Sequence, residues 1–305
     1  MLKAEEWEML IEDIRDAQCT PFLGAGAGYG VLPLGGGLAQ RLADEFKYPM
    51  EDSNDLARVT QFIALTYGDG TFPKRRVKAI IEACGTPNFG ASDEPHSILA
   101  AFRLPLYITT NYDDFMVRAL TERRKEPAQE VCRWNSQLKK DPSPLYKSRG
   151  FSNTVARPLV FHLHGHVGEV SSMVLTEDDY VDFLVNVASD PGIIPRRIEK
   201  ALTETSLLFI GYRLADLNFR VVLRSLSRFL GSGQRRRNFA VMLPPAGEGK
   251  KGKGQDAAAR RSQEGYLTRY YDQLNVAVYW GTAQAFFQEL YQRAGHRLPS
   301  VNALF

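Results

Sequence analysis

Short apolar runs alternate with amphipathic segments along most of the chain. Each run ends at glycine or small polar residues, which is typical of buried strands, and the segments between the runs repeat apolar residues at helical spacings of three and four. This alternation predicts an α/β fold, with a Rossmann-like parallel sheet and helices on both faces. The predicted strands cover residues 20–23, 104–110, 158–163, 173–175, 206–210, 239–243 and 276–280.

Two stretches interrupt the alternation and predict insertions into a single domain that spans residues 1–305. Helical segments at 54–67 and 74–84 have no strand between them, so we expect an inserted helical module at about 47–100. Residues 121–157 are polar and rich in turn residues, and we expect an irregular insertion there. The other predicted helices cover residues 5–17, 38–46, 115–120, 194–203, 214–230 and 282–293, with a short helix opening at 95–99 and one more beginning after Thr176.

A glycine-rich segment follows the first predicted strand, where residues 20–28 read Thr-Pro-Phe-Leu-Gly-Ala-Gly-Ala-Gly. Glycine lets the backbone turn and approach a ligand closely, so a strand, a glycine loop and a helix in that order suit a pyrophosphate group. The dinucleotide fingerprint G-x-G-x-x-G matches only in part, because Gly24 and Gly26 are present but Tyr29 replaces the third glycine. A usual NAD-dehydrogenase site is disfavoured, and both a phosphate-binding loop and a tight structural turn remain open.

Polar residues follow two further strands, at the ends where open parallel sheets place ligands. Asn111 and Asp113 come after the second strand, where they could line a site or could cap the next helix. Gly211, Tyr212 and Asp216 come after the most apolar strand of the chain. These positions are candidates for ligand contacts.

Three histidines follow the strand at 158–163, at positions 162, 164 and 166. On a continuing strand all three would face one side, as in a metal site. Gly165 argues against a regular strand, and no acid or thiol within the run completes a ligand set, so we expect no metal. The alternative for His162 and His166 is that they are ordinary hydrogen-bonded residues at a sheet edge.

Composition argues against several classes of protein but does not indicate a function. The chain has 305 residues, 44% of them hydrophobic, and a formal net charge of only +3, so no general attraction to nucleic acid is predicted. Lysine and arginine cluster at 235–237, 247–254 and 260–261, but no aromatic residues are interleaved for base stacking, which favours a solvated loop over a nucleic-acid site. The three cysteines are far apart, so neither a zinc ribbon nor a disulfide framework is indicated.

The beginning of the chain lacks the basic and apolar pattern of a secretory signal. No run approaches the roughly 18 apolar residues that span a bilayer. We therefore expect a cytoplasmic protein with no membrane partner.

Four of these signals occur in a fixed order, namely Gly24-Ala25-Gly26, Thr110-Asn111-Tyr112-Asp113, Leu163-His164-Gly165, and Gly211-Tyr212 with Asp216. Their order resembles that of the Sir2 (sirtuin) family, and more closely its bacterial Sir2-like NADase branch in antiphage defence. The resemblance covers about residues 18–282, and its specificity comes from the ordered set. It implies a Rossmann-like NAD domain with a helical insertion.

The same resemblance implies roles for individual residues. Gly24, Ala25 and Gly26 would bind the NAD phosphates, Asn111 and Asp113 would line the nicotinamide and ribose pocket, His164 would be the catalytic histidine, and Gly211, Tyr212 and Asp216 would approach the adenosine side. Protein-deacylating sirtuins carry two C-x-x-C pairs that hold zinc and a Gly-Ile-Pro-Asp-Phe-Arg-like stretch after the glycine loop, and this chain has neither. The part of the family pattern that it retains is the part that handles NAD.

Cleavage of NAD needs few chemical groups. The nicotinamide departs as a neutral molecule, so the site must hold the ribose, exclude bulk water and supply a base for a hydroxyl or a water. Histidine suits the base role near neutral pH, and an asparagine orients a hydroxyl or water without adding charge. Asn111 and His164 match these two requirements.

These observations predict an NAD⁺ glycohydrolase that releases nicotinamide and ADP-ribose, acting as an antiphage effector by NAD⁺ depletion. NAD⁺ is the substrate, and no metal is expected. A protein deacylase or ADP-ribosyltransferase, and a non-catalytic NAD- or ADP-ribose-binding subunit, are the alternatives. The resemblance also implies a homo-oligomer and a controlling partner such as a HerA-like ATPase or an Argonaute.

Overall fold

A computed structural model of the protein describes residues 2–140, 143, 145, 152–190, 192–212, 236–243 and 253–299. Within these ranges seven strands form one sheet in the order β3-β4-β2-β1-β5-β6-β7, and every neighbouring pair is parallel. The strands are β1 (Cys19–Leu23), β2 (Leu106–Thr109), β3 (Ala128–Val131), β4 (Leu159–His162), β5 (Ser206–Ile210), β6 (Asn238–Met242) and β7 (Val276–Trp280).

Helices cover both faces of the sheet, as the alternating pattern predicts. Successive side chains of a strand point to opposite faces, so on β5 Leu207 and Phe209 enter one buried cluster while Leu208 and Ile210 enter the other. The described helices are α1 (Ala4–Arg15), α2 (Gly35–Phe46), α3 (Leu56–Tyr67), α4 (Phe72–Ala83), α5 (Pro95–Ala101), α6 (Phe115–Glu122), α7 (Ser136–Lys140), α8 (Glu177–Ser189), α9 (Arg196–Glu204), α10 (Lys253–Gln273) and α11 (Ala283–Ala294). Residues of α1, α5, α6 and α11 line one cluster, and residues of α8, α9 and α10 line the other. The predicted fold class is confirmed.

The strand order places a topological switch point beside β1. The chain passes from β1 to β2 on one side, whereas β5 pairs with β1 on the other side. Open parallel sheets bind ligands in the crevice outside the carboxyl ends of the strands at such a point. The loops after Leu23 and Ile210 border this crevice.

Helices α2, α3 and α4 lie between β1 and β2 in the chain and share a third buried cluster with Met173 and Leu175. Lys74 of α4 donates to Asp179 of α8 at 2.8 Å, and both side chains are largely buried. The second oxygen of Asp179 accepts from the backbone nitrogens of Leu175 and Thr176. The helices are therefore tied to the segment that follows the histidine run.

One predicted strand, at residues 173–175, is absent, and the sequence prediction there is wrong. The backbone nitrogen of Val174 donates to the carbonyl of His164, and that of Leu175 donates to Asp179. These groups bind a loop and a helix cap, so the extended segment joins no strand of the described sheet. The prediction that Thr176 begins a helix is confirmed, since Thr176 and Asp179 form a capping box at the start of α8.

Three elements were not predicted. Strand β3 and helix α7 lie inside the stretch expected to be irregular, and β3 escapes sequence analysis because it is a four-residue, partly exposed edge strand. Helix α10 carries mostly polar residues with no apolar stripe. The predicted helix at 214–230 and most of the glycine- and lysine-rich loop at 247–254 lie outside the described residues. No described helix has an apolar stretch long enough to cross a bilayer.

Candidate functional site

The glycine loop after β1 packs directly against the loop after β5. The amide nitrogen of Gly24 donates to the carbonyl of Ile210 at 2.8 Å, and that of Gly26 donates to Gly211 at 2.9 Å. Gly211 has φ of +80°, and a Cβ there would lie 2.3 Å from the nitrogen of Ala27. The glycines thus have a structural reason to be present, because the two loops approach too closely for side chains. Ala25 lies at an exposed position of the loop.

Asn111 lies just beyond β2 and is held against the glycine loop. Its Nδ2 donates to the carbonyl of Gly24 at 3.1 Å, and its backbone nitrogen donates to the hydroxyl of Thr109 at 2.9 Å. Because only the amide nitrogen can donate to a carbonyl, this contact fixes the orientation of the side chain. Oδ1 of Asn111 hydrogen-bonds to no described residue and is not closed off from solvent. The asparagine therefore presents a fixed acceptor at the crevice.

Tyr212 joins the ends of three strands. Its hydroxyl donates to the carbonyl of Leu23 at 2.9 Å and lies 2.6 Å from the hydroxyl of Thr110. The ring packs edge-on against Phe22, with centroids 5.7 Å apart. The structure thus brings Tyr212 beside the glycine loop and the segment that carries Asn111.

Asp113 is buried, and its side chain hydrogen-bonds to the backbone at the start of the next helix. Its Oδ1 accepts from the backbone nitrogen of Phe115 at 3.0 Å, at the start of α6, so the helix-start contact left open by the sequence is present. Burial raises the pKa of the Asp113 carboxyl, and the electrostatic influence of His96 offsets part of this rise. Asp216 lies outside the described residues.

His96 is a buried polar residue that sequence analysis did not single out. Its Nδ1 lies 2.7 Å from Oε1 of Glu94, and the ring packs edge-on against Phe115. The other oxygen of Glu94 accepts from the backbone nitrogen of Ser97. No local pattern marks His96, because its proximity to Asp113 arises from packing between α5 and α6.

His164 occupies an apolar pocket formed by α8. Its ring lies edge-on to Tyr180 and Phe183, with centroid distances of 5.6 and 5.2 Å. Nε2 is buried and has no hydrogen-bond partner among the described residues. Burial lowers the pKa of His164 to about 4, so the imidazole is neutral at pH 7.

The other two histidines of the run have local partners. His162 donates from Nδ1 to the carbonyl of Asn111 at 3.2 Å, and Nδ1 of His166 accepts from the nitrogen of Gly168 at 2.9 Å. Their rings are 4.8 Å apart, whereas His164 packs on α8. Strand β4 ends at His162, the chain turns at residues 163–164, and Gly165 then has φ of +87°. Within the described ranges no three histidine, cysteine or acidic side chains are grouped as metal ligands.

A cavity of about 160 Å³ lies beside the glycine loop. Residues 27–29 line one side, and Glu94 and Pro95, at the start of α5, line another. The cavity lies next to the glycine loop, to which the side chain of Asn111 is hydrogen-bonded through Gly24. The loop thus borders a volume that could admit part of a ligand.

The basic cluster expected near residue 236 is largely neutralised. Arg237 forms ion pairs with Glu6 and Asp272 at 2.8 and 2.6 Å, and Arg236 pairs with Asp13. These arginines connect α1 to the segment between β6 and β7. Their contacts give no support to a nucleic-acid site.

The sequence model of the SIR2-like domain matches residues 105–271, more than half of the chain. The chain belongs to the SIR2-like domain family. The match contains Asn111, Asp113, His164, Gly211 and Tyr212, whereas the glycine loop precedes it. This family assignment confirms the resemblance seen in the ordered motifs.

Curated relatives carry the name NAD(+) hydrolase ThsA. The one from Enterococcus faecium is 26% identical over 231 residues, covering 73% of this chain and 43% of its own length. Those from Cytobacillus dafuensis and Bacillus cereus (strain MSX-D12) are each 25% identical, covering 76% and 75% of this chain and 43% and 45% of their own. The chain thus spans less than half the length of these relatives.

A chain from a structural study of the mechanism and regulation of Sir2 enzymes also aligns with this SIR2-like chain. The alignment has a TM-score of 0.39 and 11% identity, and it covers 95% of this chain and 97% of that one.

The buried histidines of this SIR2-like chain predict a fold that is sensitive to acid. Burial lowers the pKa of His162 to about 3 and that of His164 to about 4, below the value near 6.5 in an unfolded chain. Between pH 4 and 6.5 the unfolded chain binds more protons, so the free energy of unfolding should fall as the pH decreases through this window. At about 1.4 kcal/mol per pKa unit, His164 alone should contribute a loss on the order of 3 kcal/mol.

Urea unfolding at pH 7, 6, 5 and 4 measures this loss. His164→Phe removes one titrating ring and keeps an aromatic side chain in the pocket, so its unfolding free energy should depend less steeply on pH. Equal pH dependence in the two proteins would show that His164 is not buried in its neutral form.

Proposed function

We propose that this chain is an NAD⁺ hydrolase that releases nicotinamide and ADP-ribose. The observation that carries the proposal is the fixed Oδ1 of Asn111, which stands open at the strand-end crevice beside the glycine loop. The names of the curated relatives support the same activity. The base in this proposal is Nε2 of His164, which is neutral and has no hydrogen-bond partner among the described residues.

In the proposed reaction, the bond between nicotinamide and C1′ of the ribose breaks, and its electron pair leaves with the neutral nicotinamide. Water forms the new bond to C1′ as positive charge develops on the ribose. Oδ1 of Asn111 accepts a hydrogen bond from the water or a ribose hydroxyl and so orients it. Nε2 of His164 takes the proton that is released.

The remaining candidate residues are proposed to hold the dinucleotide. Gly24, Ala25 and Gly26 approach the phosphates, and Gly211 and Tyr212 approach the adenosine side. Asp113 contributes through the start of α6, whose position it fixes. Asp216 is also proposed to approach the adenosine side.

We also propose a single domain across residues 1–305, with helical and irregular insertions at about 47–100 and 121–157. The proposed role is antiphage defence through NAD⁺ depletion. A homo-oligomer and a partner such as a HerA-like ATPase or an Argonaute belong to the same proposal.

Turnover of NAD⁺ by the purified protein tests the activity. The expected result is equal amounts of nicotinamide and ADP-ribose, with no ADP-ribose on protein and no deacylation of an acetylated peptide. Stoichiometric NAD⁺ binding without nicotinamide release, with and without the products of neighbouring genes, would contradict the proposal and indicate a non-catalytic subunit.

A further inference from the structure

Three hydrogen bonds form a continuous chain across the carboxyl edge of the sheet. Gln129 of β3 lies 2.9 Å, through its Nε2, from Nε2 of His162 at the end of β4. Nδ1 of His162 then lies 3.2 Å from the carbonyl of Asn111, and Nδ2 of Asn111 lies 3.1 Å from the carbonyl of Gly24. These hydrogen bonds thus connect β3, β4 and the segment after β2 to the glycine loop after β1.

Elementary chemistry fixes the direction of every bond in this chain. A carbonyl oxygen only accepts, so the proton between His162 and Asn111 must sit on Nδ1 of the ring. His162 is 1% exposed, and burial keeps its ring neutral, so Nε2 is an acceptor. The amide nitrogen of Gln129 must therefore donate to it. This arrangement selects one tautomer of His162.

We infer that His162 is a positioning residue, which fixes Asn111 at the crevice by holding its backbone carbonyl while Gly24 holds its side chain. Without His162, a buried carbonyl loses its partner and residue 111 gains room to move. Misplacement of a reacting group by about 1 Å can lower a rate about 10²-fold. Gln129, at an exposed position of the edge strand, contributes indirectly, because it orients the ring of His162.

This inference rests on the proposed function only for the role of Asn111, because the hydrogen-bonded chain itself can be observed without NAD⁺. An alternative is that His162 is a core histidine whose contacts serve stability alone. The two interpretations differ in what a variant that retains the Nδ1 donor should do. They also differ in whether Gln129, which is not part of the core, affects the reaction.

Three variants separate the contributions of the individual hydrogen bonds to the position of Asn111. His162→Phe keeps a ring but removes both hydrogen bonds, and His162→Asn retains an amide donor near the position of Nδ1. Gln129→Met removes only the outer donor from an exposed site, so the core stays intact. Gln61→Met is the matched control, because Gln61 also bridges separate elements, donating to Asp178 of α8, but lies away from the crevice.

Nitrogen NMR of the histidine rings gives a readout that needs no activity. The wild-type protein should show His162 protonated at Nδ1 and unprotonated at Nε2, and Gln129→Met should shift the ring toward a mixture of tautomers. The side-chain amide resonance of Asn111 should move in His162→Phe and stay near its original position in His162→Asn. An Nε2-protonated His162 in the wild type, or an unmoved Asn111 amide in His162→Phe, would overturn the inference.

Nicotinamide release provides the second readout. In His162→Phe, kcat should fall by about ten- to a hundred-fold with KM nearly unchanged. His162→Asn should recover most of that loss, Gln129→Met should fall between the two, and Gln61→Met should match the wild type. Wild-type kcat in folded His162→Phe would overturn the positioning role. If the wild type itself releases no nicotinamide, the proposed function fails, and the NMR readout alone decides the inference.

Discussion

Asn111→Ala is expected to lower nicotinamide release by about 10²-fold or more while the protein remains folded. The change removes the Oδ1 acceptor at the crevice, so the variant no longer orients a water or a ribose hydroxyl through this group. It also removes the hydrogen bond from Nδ2 to Gly24, a loss of about 1 kcal/mol in the free energy of unfolding. The carbonyl of Gly24 keeps a second partner, the nitrogen of Ala27, so no buried acceptor is orphaned.

Asn153→Ala provides the matched control for this prediction. The side chain of Asn153 donates to the carbonyl of Pro105 at 3.2 Å, which is the same kind of bond just before β2, at the opposite edge of the sheet. Both variants should lose similar stability in urea unfolding, but only Asn111→Ala should lose nicotinamide release. Wild-type release by Asn111→Ala would remove this residue from the mechanism.

Gly211→Ala is expected to reduce the free energy of unfolding by about 3 kcal/mol or more. At φ of +80° an L side chain costs about 1–2 kcal/mol. The new Cβ would also lie 2.3 Å from the nitrogen of Ala27 and 2.7 Å from the carbonyl of Gly24, and such overpacking against backbone adds about 1–3 kcal/mol. The two loops must separate, which also displaces the carbonyl that holds Asn111.

Gly68→Ala isolates the conformational part of this cost. Gly68 ends α3 with φ of +62°, and no atom lies within 4 Å of the position its Cβ would take. Its loss should therefore be about 1–2 kcal/mol in urea unfolding. Equal losses in the two variants would show that close packing of the crevice loops contributes nothing to stability.

The architecture was largely predictable because burial on both faces of a parallel sheet produces a recognisable pattern of apolar residues in the sequence. Strands such as β5 must be apolar at consecutive positions, and the helices that cover them must carry an apolar stripe. Elements without such an apolar pattern were missed, for example the partly exposed edge strand β3 and the polar helix α10. The extended segment at 173–175 was mistaken for a strand because its three apolar residues are buried: Met173 and Leu175 pack with the inserted helices, and Val174 packs on one face of the sheet without pairing with a described strand.

The sequence by itself determined which residues stand at the strand ends, since the small and polar positions after each apolar run are read directly from the chain. Only the tertiary structure decided what each one contacts. It separated the three alternating histidines, because β4 ends at His162 and the chain turns at residues 163–164, so that His164 packs against α8 while His162 hydrogen-bonds to the carbonyl of Asn111. It also brought Gln129 to His162, across 33 positions of sequence. Such contacts depend on the pairing of strands distant in sequence, and no local pattern of residue types encodes them.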